Sequence, residues 1–279
     1  MNVLISADEL ATALGSDHPP VLLDVRWQLG GPPGHESYLE GHLPGAVYVD
    51  LDTELARHGE PTDGRHPLPE LADLQVAARR WGISAGDTVV AYDAVGNTSA
   101  ARAWWLLRWA GVADVRLLDG ALGAWAAAGH PLATDDVVPA PGTVTLTPGH
   151  LPVLPFEEVE TYAGLLLDAR AAERYRGEVE PVDPKAGHIP GAVSAPTVDN
   201  LGPDGRFLPA EELRDRFAAL GVEAGSPVTA YCGSGVTAAH QIAALAIAGH
   251  EAALYPGSWS QWSHHDLPVA TDQVDDNRP

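Results

Sequence analysis

The sequence contains one cysteine, Cys232, among 279 residues. A single cysteine excludes an intramolecular disulfide and a metal site built from clustered cysteines. The 12 histidines are scattered, and the adjacent pair His264 and His265 cannot face one metal as an i, i+4 helical pair would. Glycine-rich phosphate-binding signatures are also missing, so we expect no metal, nucleotide or other cofactor. A lone thiol is typical of a reducing compartment, and the protein is therefore expected to be cytoplasmic.

Basic residues are scarce as well. The chain has 16 Lys and Arg against 38 Asp and Glu, which gives a net charge of −22. Nucleic acid and anionic membrane surfaces are therefore not expected as partners. No apolar run is long enough to span a membrane, and the N-terminus lacks the basic and apolar segments of a secretion signal. Because the chain is acidic, an anionic substrate would need a local cluster of basic side chains.

The chain contains two copies of one unit, and four landmarks recur in the same order about 140 residues apart. The pairs are Leu22–Arg26 with Leu166–Arg170, Gly41–Ala46 with Gly187–Ala192, Tyr92–Asp93 with Tyr231–Cys232, and Gly120 and Trp125 with Gly257 and Trp262. A period of this length is a domain rather than a solenoid repeat. We predict domains at 1–134 and 156–279, joined by a proline-rich surface linker at 135–155. Because the two copies are already fused, a monomer is expected.

Each copy alternates short apolar strands with amphipathic helices. Residues 6–9 have the pattern of a capping box before a helix, and residues 69–81 carry a helical apolar stripe. This alternation predicts an α/β fold of two tandem domains, each a mostly parallel sheet with helices on both faces. In such sheets ligands bind at the carboxyl ends of the strands.

Cys232 lies where a predicted strand, 228–231, ends and before a predicted helix, 238–248. The glycines of the intervening loop allow a tight curl in which backbone N–H groups point inward. The helix N-terminus adds partial positive charge, so we expect this position to favour a thiolate nucleophile. The alternative is a buried thiol that serves only as a small apolar side chain. The first copy has Asp93 at this position, and a carboxylate cannot act as a sulfur nucleophile.

These features resemble the rhodanese superfamily of sulfurtransferases, in particular its two-domain members with one cysteine in the second domain. The matching segments are Gly41–Ala46, Gly187–Ala192, Arg174–Gly177, Cys232–Thr237 and Gly257–Trp259. The resemblance implies that a small-molecule donor gives its sulfane sulfur to Cys232, forming a persulfide. The outer sulfur would then pass to an acceptor such as thioredoxin, a small thiol or cyanide.

The loop residues after the cysteine indicate which sulfur donor is used. Relatives that prefer thiosulfate commonly have basic residues directly after the cysteine, whereas Gly233 and Ser234 are neutral. The loop instead resembles that of 3-mercaptopyruvate sulfurtransferases, which implies 3-mercaptopyruvate as donor and thiosulfate as the alternative. It also implies that Ser234 transfers protons with a histidine of the first domain, and the matching residue is His42. The other loop residues expected to bind the substrate are Gly233, Gly235, Val236 and Thr237.

The family also suggests how the donor's carboxylate is held. Arg174 matches the substrate-binding arginine of the family's Arg-[Tyr/Phe]-x-Gly motif, and a guanidinium can grip a carboxylate with two parallel bonds. The mercaptopyruvate branch has a second arginine further on, where this chain has none between 178 and 185. Lys185 is the expected replacement, acting as a point charge. Two other arginines are expected in structural ion pairs, Arg26 with Asp24 and Arg170 with Asp168.

Two other classes of function compete with sulfur transfer. A cysteine phosphatase or arsenate reductase would close its loop with an arginine in the pattern Cys-x5-Arg, but the residue six positions after Cys232 is Ala238. The remaining class is a non-catalytic sulfur carrier or interaction module. The intact cysteine loop argues against it.

Overall fold

Each half of the chain folds around a parallel β-sheet flanked by helices. The structure is a computed structural model that describes residues 2–272, so positions 273–279 of the predicted second domain lie outside the described residues. The first sheet has five strands, in the order Leu4–Ile5, Asp114–Leu118, Thr88–Tyr92, Val21–Asp24 and Val47–Tyr48. The second has four, in the order Val193–Ser194, Leu165–Asp168, Val228–Tyr231 and Ala253–Leu254. Every pair of neighbouring strands in the two sheets is parallel, as the alternation of strands and helices predicts.

Strands and helices alternate along the chain in both halves. The first half contains β1 (Leu4–Ile5), α1 (Ala7–Leu14), β2 (Val21–Asp24), α2 (Gly34–Glu40), β3 (Val47–Tyr48), α3 (Leu51–Glu54), a 3-10 turn (Pro61–Asp63), α4 (Leu71–Arg80), β4 (Thr88–Tyr92), α5 (Ala100–Trp109), β5 (Asp114–Leu118) and α6 (Ala121–Ala127). The second half contains α7 (Phe156–Val159), β6 (Leu165–Asp168), α8 (Ala172–Tyr175), β7 (Val193–Ser194), a 3-10 turn (Thr197–Asn200), α9 (Ala210–Ala219), β8 (Val228–Tyr231), α10 (Thr237–Ile247), β9 (Ala253–Leu254) and α11 (Ser258–Ser263).

Local sequence signals fix the longer helices. The predicted capping box precedes α1, where the Ser6 hydroxyl accepts from the Glu9 N–H at 3.3 Å and the Glu9 carboxylate accepts from the Ser6 N–H at 2.9 Å. Helix α4 lies inside the predicted span of 69–81. The short helices α2, α3, α8 and α11 have four to seven residues, which is too few for an apolar period to mark them in the sequence.

Helices α5 and α10 pack against each other and join the two domains. Residues 100–107 of α5 and 238–245 of α10 are all buried, and one apolar cluster includes side chains from both sheets and both helices. Small alanines at the N-terminal ends of both helices permit a close approach. Although these helices are apolar, no described helix is long and apolar enough to cross a membrane.

The segment between the domains, 135–155, packs against both of them. It was predicted as a surface linker, yet Val144 and Leu146 are buried in the shared apolar cluster. Its backbone bonds to the first domain, for example from the Val144 N–H to the Ile83 carbonyl at 3.1 Å. Near its end, Val153 forms a parallel bridge with Leu254 of β9. The segment therefore packs on both domains, which its prolines alone do not reveal.

The first domain closes its strand-to-helix loop around Asp93. This side chain follows β4 and is fully buried. Its two carboxylate oxygens accept four backbone N–H bonds of 2.8–3.1 Å, from Val95, Asn97, Ser99 and Ala100. The loop is therefore an anion cradle occupied by a carboxylate of the same chain.

We expect Asp93→Asn to lower the free energy of unfolding by about 3 kcal/mol, because an amide carries one acceptor oxygen and no charge where four N–H groups converge. Chemical denaturation monitored by circular dichroism measures the change. The control is Asp73→Asn, on the exposed face of α4. Equal denaturation midpoints for both variants would contradict the cradle.

Candidate active site

Cys232 lies at the carboxyl end of β8, in the corresponding loop of the second domain. Its side chain is only 2% exposed, and Sγ accepts a hydrogen bond from the Gly235 N–H at 3.2 Å. The Cys232 N–H is fixed by the Ser258 hydroxyl at 3.1 Å. Because helix α10 begins at Thr237, the sulfur lies against the Gly235 N–H and close in sequence to the positive end of a helix.

Gly235 is required by the shape of this loop. Its φ of +79° lies in the left-handed region, and a Cβ there would come within 2.2 Å of the Pro256 carbonyl oxygen. Any other residue would therefore push the loop away from Pro256 and move the N–H that contacts the sulfur.

Ser234 begins a chain of hydrogen bonds that crosses into the first domain. Its hydroxyl lies 2.7 Å from His66 Nδ1, and His66 Nε2 lies 3.1 Å from Asp52 Oδ1. A carboxylate only accepts, so Nε2 carries the proton, and Nδ1 of the neutral ring accepts from the Ser234 hydroxyl. Trp27 holds the other oxygen of Asp52 through its indole N–H at 3.1 Å.

The environment of His66 keeps its ring neutral. Burial, with the positive charge of Arg102 adding to its effect, lowers the pKa of His66 to about 4. The Asp52 carboxylate opposes this shift but does not overcome it. At neutral pH, Nδ1 is therefore free to accept a proton from Ser234.

The structure corrects the prediction for His42. The His42 ring is fully buried, donates from Nδ1 to the Tyr38 carbonyl at 2.9 Å, and stacks on the Tyr38 ring at 3.9 Å. His188, its counterpart in the repeat, makes the same bond to Tyr175 at 2.8 Å and the same stack at 3.7 Å. His42 thus fixes a loop of its own domain, and the imidazole that reaches Ser234 is His66.

A cleft of about 300 Å³ opens onto Cys232. Its floor includes four loop residues predicted to act in the site, Gly233, Ser234, Val236 and Thr237, while the N–H of Gly235 contacts the sulfur. Arg174, the predicted substrate-binding arginine, lines the cleft, together with Arg170 and, from the first domain, Arg65. A larger cavity of about 740 Å³ lies elsewhere, beside Pro227 and Val228 at the amino end of β8.

Acidic residues hold these arginines in place. Asp183 bridges the domains by pairing with Arg65 and, at 3.2 Å, with Arg174. Glu180 pairs with Arg174 at 2.6 Å. The predicted structural pairs are also present: Arg170 bonds to Asp168 at 2.6 Å, and Arg26 to Asp24 at 2.9 Å.

Lys185 does not take the place predicted for it. Its Nζ donates to the carbonyls of His265 and Leu267, at 2.6 and 3.4 Å, and it does not line the cleft. The cleft instead receives Arg65 from the first domain, in addition to Arg174 and Arg170. The Arg65 Nε is buried and has no hydrogen-bond partner among the described residues.

One signal in the sequence could have identified His66. The triplet Asp-Gly-Arg occurs at 63–65 and again at 204–206, so His66 of the first copy corresponds to Phe207 of the second. The copies differ here as they do at Asp93 and Cys232. The equivalent position holds a histidine in one copy and a phenylalanine in the other, and such a difference indicates a functional position. His42 and His188, in contrast, are the same residue type in both copies.

Comparisons with known proteins agree with this architecture. The sequence pattern of the Rhodanese-like domain matches residues 6–128 and 157–265. The chain belongs to the rhodanese family. Its members include a protein of Mycobacterium tuberculosis named putative thiosulfate sulfurtransferase SseB, which is 48% identical over 94% of both chains. A probable 3-mercaptopyruvate sulfurtransferase of Pseudomonas aeruginosa is 46% identical, over 96% of this chain and 98% of its own.

A solved structure shows the same rhodanese fold. SseA from Escherichia coli, described as a 3-mercaptopyruvate sulfotransferase, superposes with a TM-score of 0.82. It is 31% identical, and the alignment covers 93% of this chain and 99% of SseA. The two-domain arrangement is thus shared along nearly the whole length of both proteins.

Proposed function

We propose that this rhodanese-family protein is a sulfurtransferase that moves a sulfane sulfur from 3-mercaptopyruvate to a thiol or cyanide through a persulfide on Cys232. The observation that carries the proposal is the anion-binding loop in which Cys232 lies, with the Ser234–His66–Asp52 chain beside it. Relatives named for 3-mercaptopyruvate and for thiosulfate both support sulfur transfer.

Asp93 of the first domain illustrates how the second domain would hold a persulfide. The Oδ atoms of an aspartate lie one bond beyond Cγ, as the outer sulfur of a persulfide lies one bond beyond Sγ. In the first domain those oxygens receive four backbone N–H bonds. When the two copies are aligned at Asp93 and Cys232, the residues equivalent to these four donors are Ser234, Val236, Ala238 and Ala239. A loop of this form stabilises an anionic outer sulfur.

In the first half-reaction, the Cys232 thiolate attacks the sulfur of 3-mercaptopyruvate. The new S–S bond forms as the C–S bond breaks, and the electron pair of that bond passes to carbon, giving the enolate of pyruvate. The proton of the donor's thiol moves to the enolate carbon, so the products are the Cys232 persulfide anion and pyruvate. Ser234 is placed to pass this proton, with the neutral His66 as its temporary acceptor.

We infer that Arg65 and Arg174 bind the carboxylate and carbonyl of the donor. Both lie beside Gly233: a Cβ on that glycine would be 3.1 Å from Arg65 Nη2 and 3.4 Å from Arg174 Nη1. The buried, unpartnered Nε of Arg65 adds a donor that no described group satisfies. The second cation of the site would thus come from the first domain instead of from Lys185.

In the second half-reaction, an acceptor removes the outer sulfur and restores the thiolate. Cyanide would leave as thiocyanate, and a thiolate would leave as its own persulfide. Acceptors of this kind include thioredoxin and small thiols. A monomer acting in the cytoplasm suits this chemistry, because both halves of the site lie in one chain and the single cysteine must stay reduced.

Thiosulfate is the second candidate donor, since the cleft presents three arginines and one relative carries that name. Thiosulfate transfers sulfur without forming an enolate, so it needs no proton relay.

We expect Cys232→Ser to abolish transfer from either donor to cyanide while the thermal unfolding temperature stays near that of the wild type. Intact-mass spectrometry of the wild type after 3-mercaptopyruvate should show one added sulfur, about 32 Da, and none in the variant. Side-by-side turnover with the two donors measures the preference. Retained turnover in Cys232→Ser would refute the persulfide.

Removing the relay should affect the two donors unequally. We expect Ser234→Ala and His66→Gln each to lower kcat for 3-mercaptopyruvate by about 10²-fold, the usual size of a general acid–base effect, with a much smaller loss for thiosulfate. His42→Gln is the matched control and should leave the ratio of the two donors unchanged. If Ser234→Ala slowed both donors equally, or His42→Gln changed their ratio, the relay would be wrongly assigned.

Removing either arginine of the proposed clamp should weaken donor binding. We expect Arg65→Met and Arg174→Met to raise KM for 3-mercaptopyruvate by about tenfold, the value of one charge-assisted hydrogen bond. Lys185→Met serves as the control and should leave KM unchanged. Steady-state kinetics with saturating cyanide measure the effect, and an unchanged KM in Arg65→Met would remove this residue from the clamp.

A further inference from the structure

Helix α11 has three buried serines, whereas the equivalent helix of the first domain, α6, has none. When the copies are aligned at Gly120 and Gly257, Ser258, Ser260 and Ser263 correspond to Ala121, Gly123 and Ala126. Ser258 binds the N–H of Cys232, and the Ser263 hydroxyl contacts the backbone of its own helix. Ser260 bonds across the interface, to a described residue of the first domain. The hydroxyl at this position is therefore found only in the copy that holds the cysteine.

Ser260 joins the two halves of the candidate site. Its fully buried hydroxyl donates to the Gly257 carbonyl at 3.1 Å, so its oxygen accepts from the Arg65 N–H, also at 3.1 Å. The backbone N–H of Ser260 bonds to the Gly233 carbonyl of the cysteine loop at 2.8 Å. One residue therefore holds the cysteine loop through its backbone and a segment of the first domain through its side chain.

Gly64 shows how closely that segment approaches α11. Its φ is +90°, and a Cβ there would lie 2.8 Å from the Gly257 carbonyl oxygen and 3.1 Å from the Ser260 hydroxyl. Gly205, its counterpart in the second copy, has a φ of +75°, but a Cβ there would meet nothing within 4 Å outside its chain neighbours. Both positions use the left-handed conformation that glycine permits, and only Gly64 also needs the absence of a side chain.

We propose that Ser260 is a positioning residue for sulfur transfer from 3-mercaptopyruvate, which seats the Gly64–His66 segment against the cysteine loop. The proposal rests on the function proposed above. The seat matters because His66 Nδ1 lies 2.7 Å from the Ser234 hydroxyl, and a displacement of about 1 Å would break that hydrogen bond. The same displacement would move Arg65 away from Gly233, beside which the donor is proposed to bind.

Other contacts limit how far the segment can move without Ser260. Arg65 keeps its ion pair with Asp183, and the His66 carbonyl keeps its own hydrogen bond. The cysteine loop is unaffected, because the backbone N–H at position 260 remains whichever side chain is present. Loss of the hydroxyl should therefore misplace the relay and one cation of the clamp, while the sulfur stays where it is.

The kinetic test uses two pairs of variants. Ser260→Ala removes the hydroxyl of the seat, and its control Ser263→Ala removes a buried hydroxyl that bonds within α11. Gly64→Ala pushes the segment off α11, and its control Gly205→Ala adds the same methyl group where there is open space. We expect Ser260→Ala and Gly64→Ala each to lower kcat/KM for 3-mercaptopyruvate by about tenfold, and the controls to change it by less than about twofold. Alkylation of Cys232 by iodoacetamide should keep its wild-type rate in Ser260→Ala.

The pKa of the His66 ring reports directly where the segment lies, and NMR titration of its C2 proton measures it without any sulfur donor. Burial is the main cause that lowers this pKa in the wild type. The charged groups that act on the ring are Arg102, Asp52 and Arg65. If the segment moves outward, water reaches the ring and the pKa rises. We expect a rise of about one pH unit in Ser260→Ala and none in Ser263→Ala.

An unchanged pKa of His66 or an unchanged kcat/KM in Ser260→Ala would overturn the proposal. Equal losses in Ser260→Ala and Ser263→Ala would also overturn it, since they would reflect the packing of α11 alone. A slower alkylation of Cys232 in Ser260→Ala would show that the hydroxyl acts on the cysteine loop instead of the segment. A failure of the proposed function would appear separately, as absence of the 32 Da adduct on the wild type.

Discussion

A sulfur anion buried at the end of a parallel strand is stable only if the protein supplies the positive charge that water would otherwise provide. The loop and the helix that follow Cys232 supply part of this positive charge. The loop after β8 curls so that the Gly235 N–H contacts the Cys232 sulfur just before the start of α10. Gly235 is needed because the curl brings the loop against Pro256. In the first domain, the corresponding loop is filled by the carboxylate of Asp93, which accepts the backbone N–H bonds of that loop.

Each domain extends one segment onto the other domain, at corresponding positions of the two copies. The candidate site lies where the residues of these two segments differ. The Gly64–His66 segment of the first domain lies on the Cys232 side of the second, where the Arg65 N–H bonds to Ser260. In return, the Phe207 N–H bonds to Asp119 of the first domain, and Leu201 packs close to Gly96 in the Asp93 loop. One crossing places His66 against Ser234 of the cysteine loop, and the other places Leu201 near the closed Asp93 loop while Phe207 stacks on His240. The two copies therefore differ at this loop: one holds a cysteine, and the other is closed by its own carboxylate.

Much of this architecture could be predicted from the sequence, because its signals are local. The repeat, the parallel sheets, the capping box before α1, the aspartate–arginine pairs and the loop around Cys232 each depend on neighbouring residues or on comparison of the two copies. Arg65 could not be found in the same way, since the second copy has an arginine, Arg206, at the same position. His66 differs from its counterpart Phe207, but its place beside Ser234 depends on the packing of one domain on the other. His42 was predicted from the resemblance to the mercaptopyruvate branch, yet it makes the same structural contacts as His188. Lys185 was predicted as the replacement for the second arginine of that branch, but its amino group donates to two backbone carbonyls.

The charge balance of the cleft bears on which donor it suits. Three arginines line it, but Asp168, Glu180 and Asp183 pair with them, so the cluster as a whole is close to neutral. Burial raises the pKa of Asp183, which shows that water does little to stabilise its charge. The cost of removing an ion from water rises steeply with its charge, so a near-neutral cleft is a poor match for the thiosulfate dianion. Under the proposed function, a mercaptopyruvate donor brings one carboxylate, which the directed donors of Arg65 and Arg174 can meet, and it creates an enolate for which Ser234 and His66 are the proposed relay. The same cross-domain contact places one cation for the donor and the histidine of the relay that returns the donor's own thiol proton to the enolate.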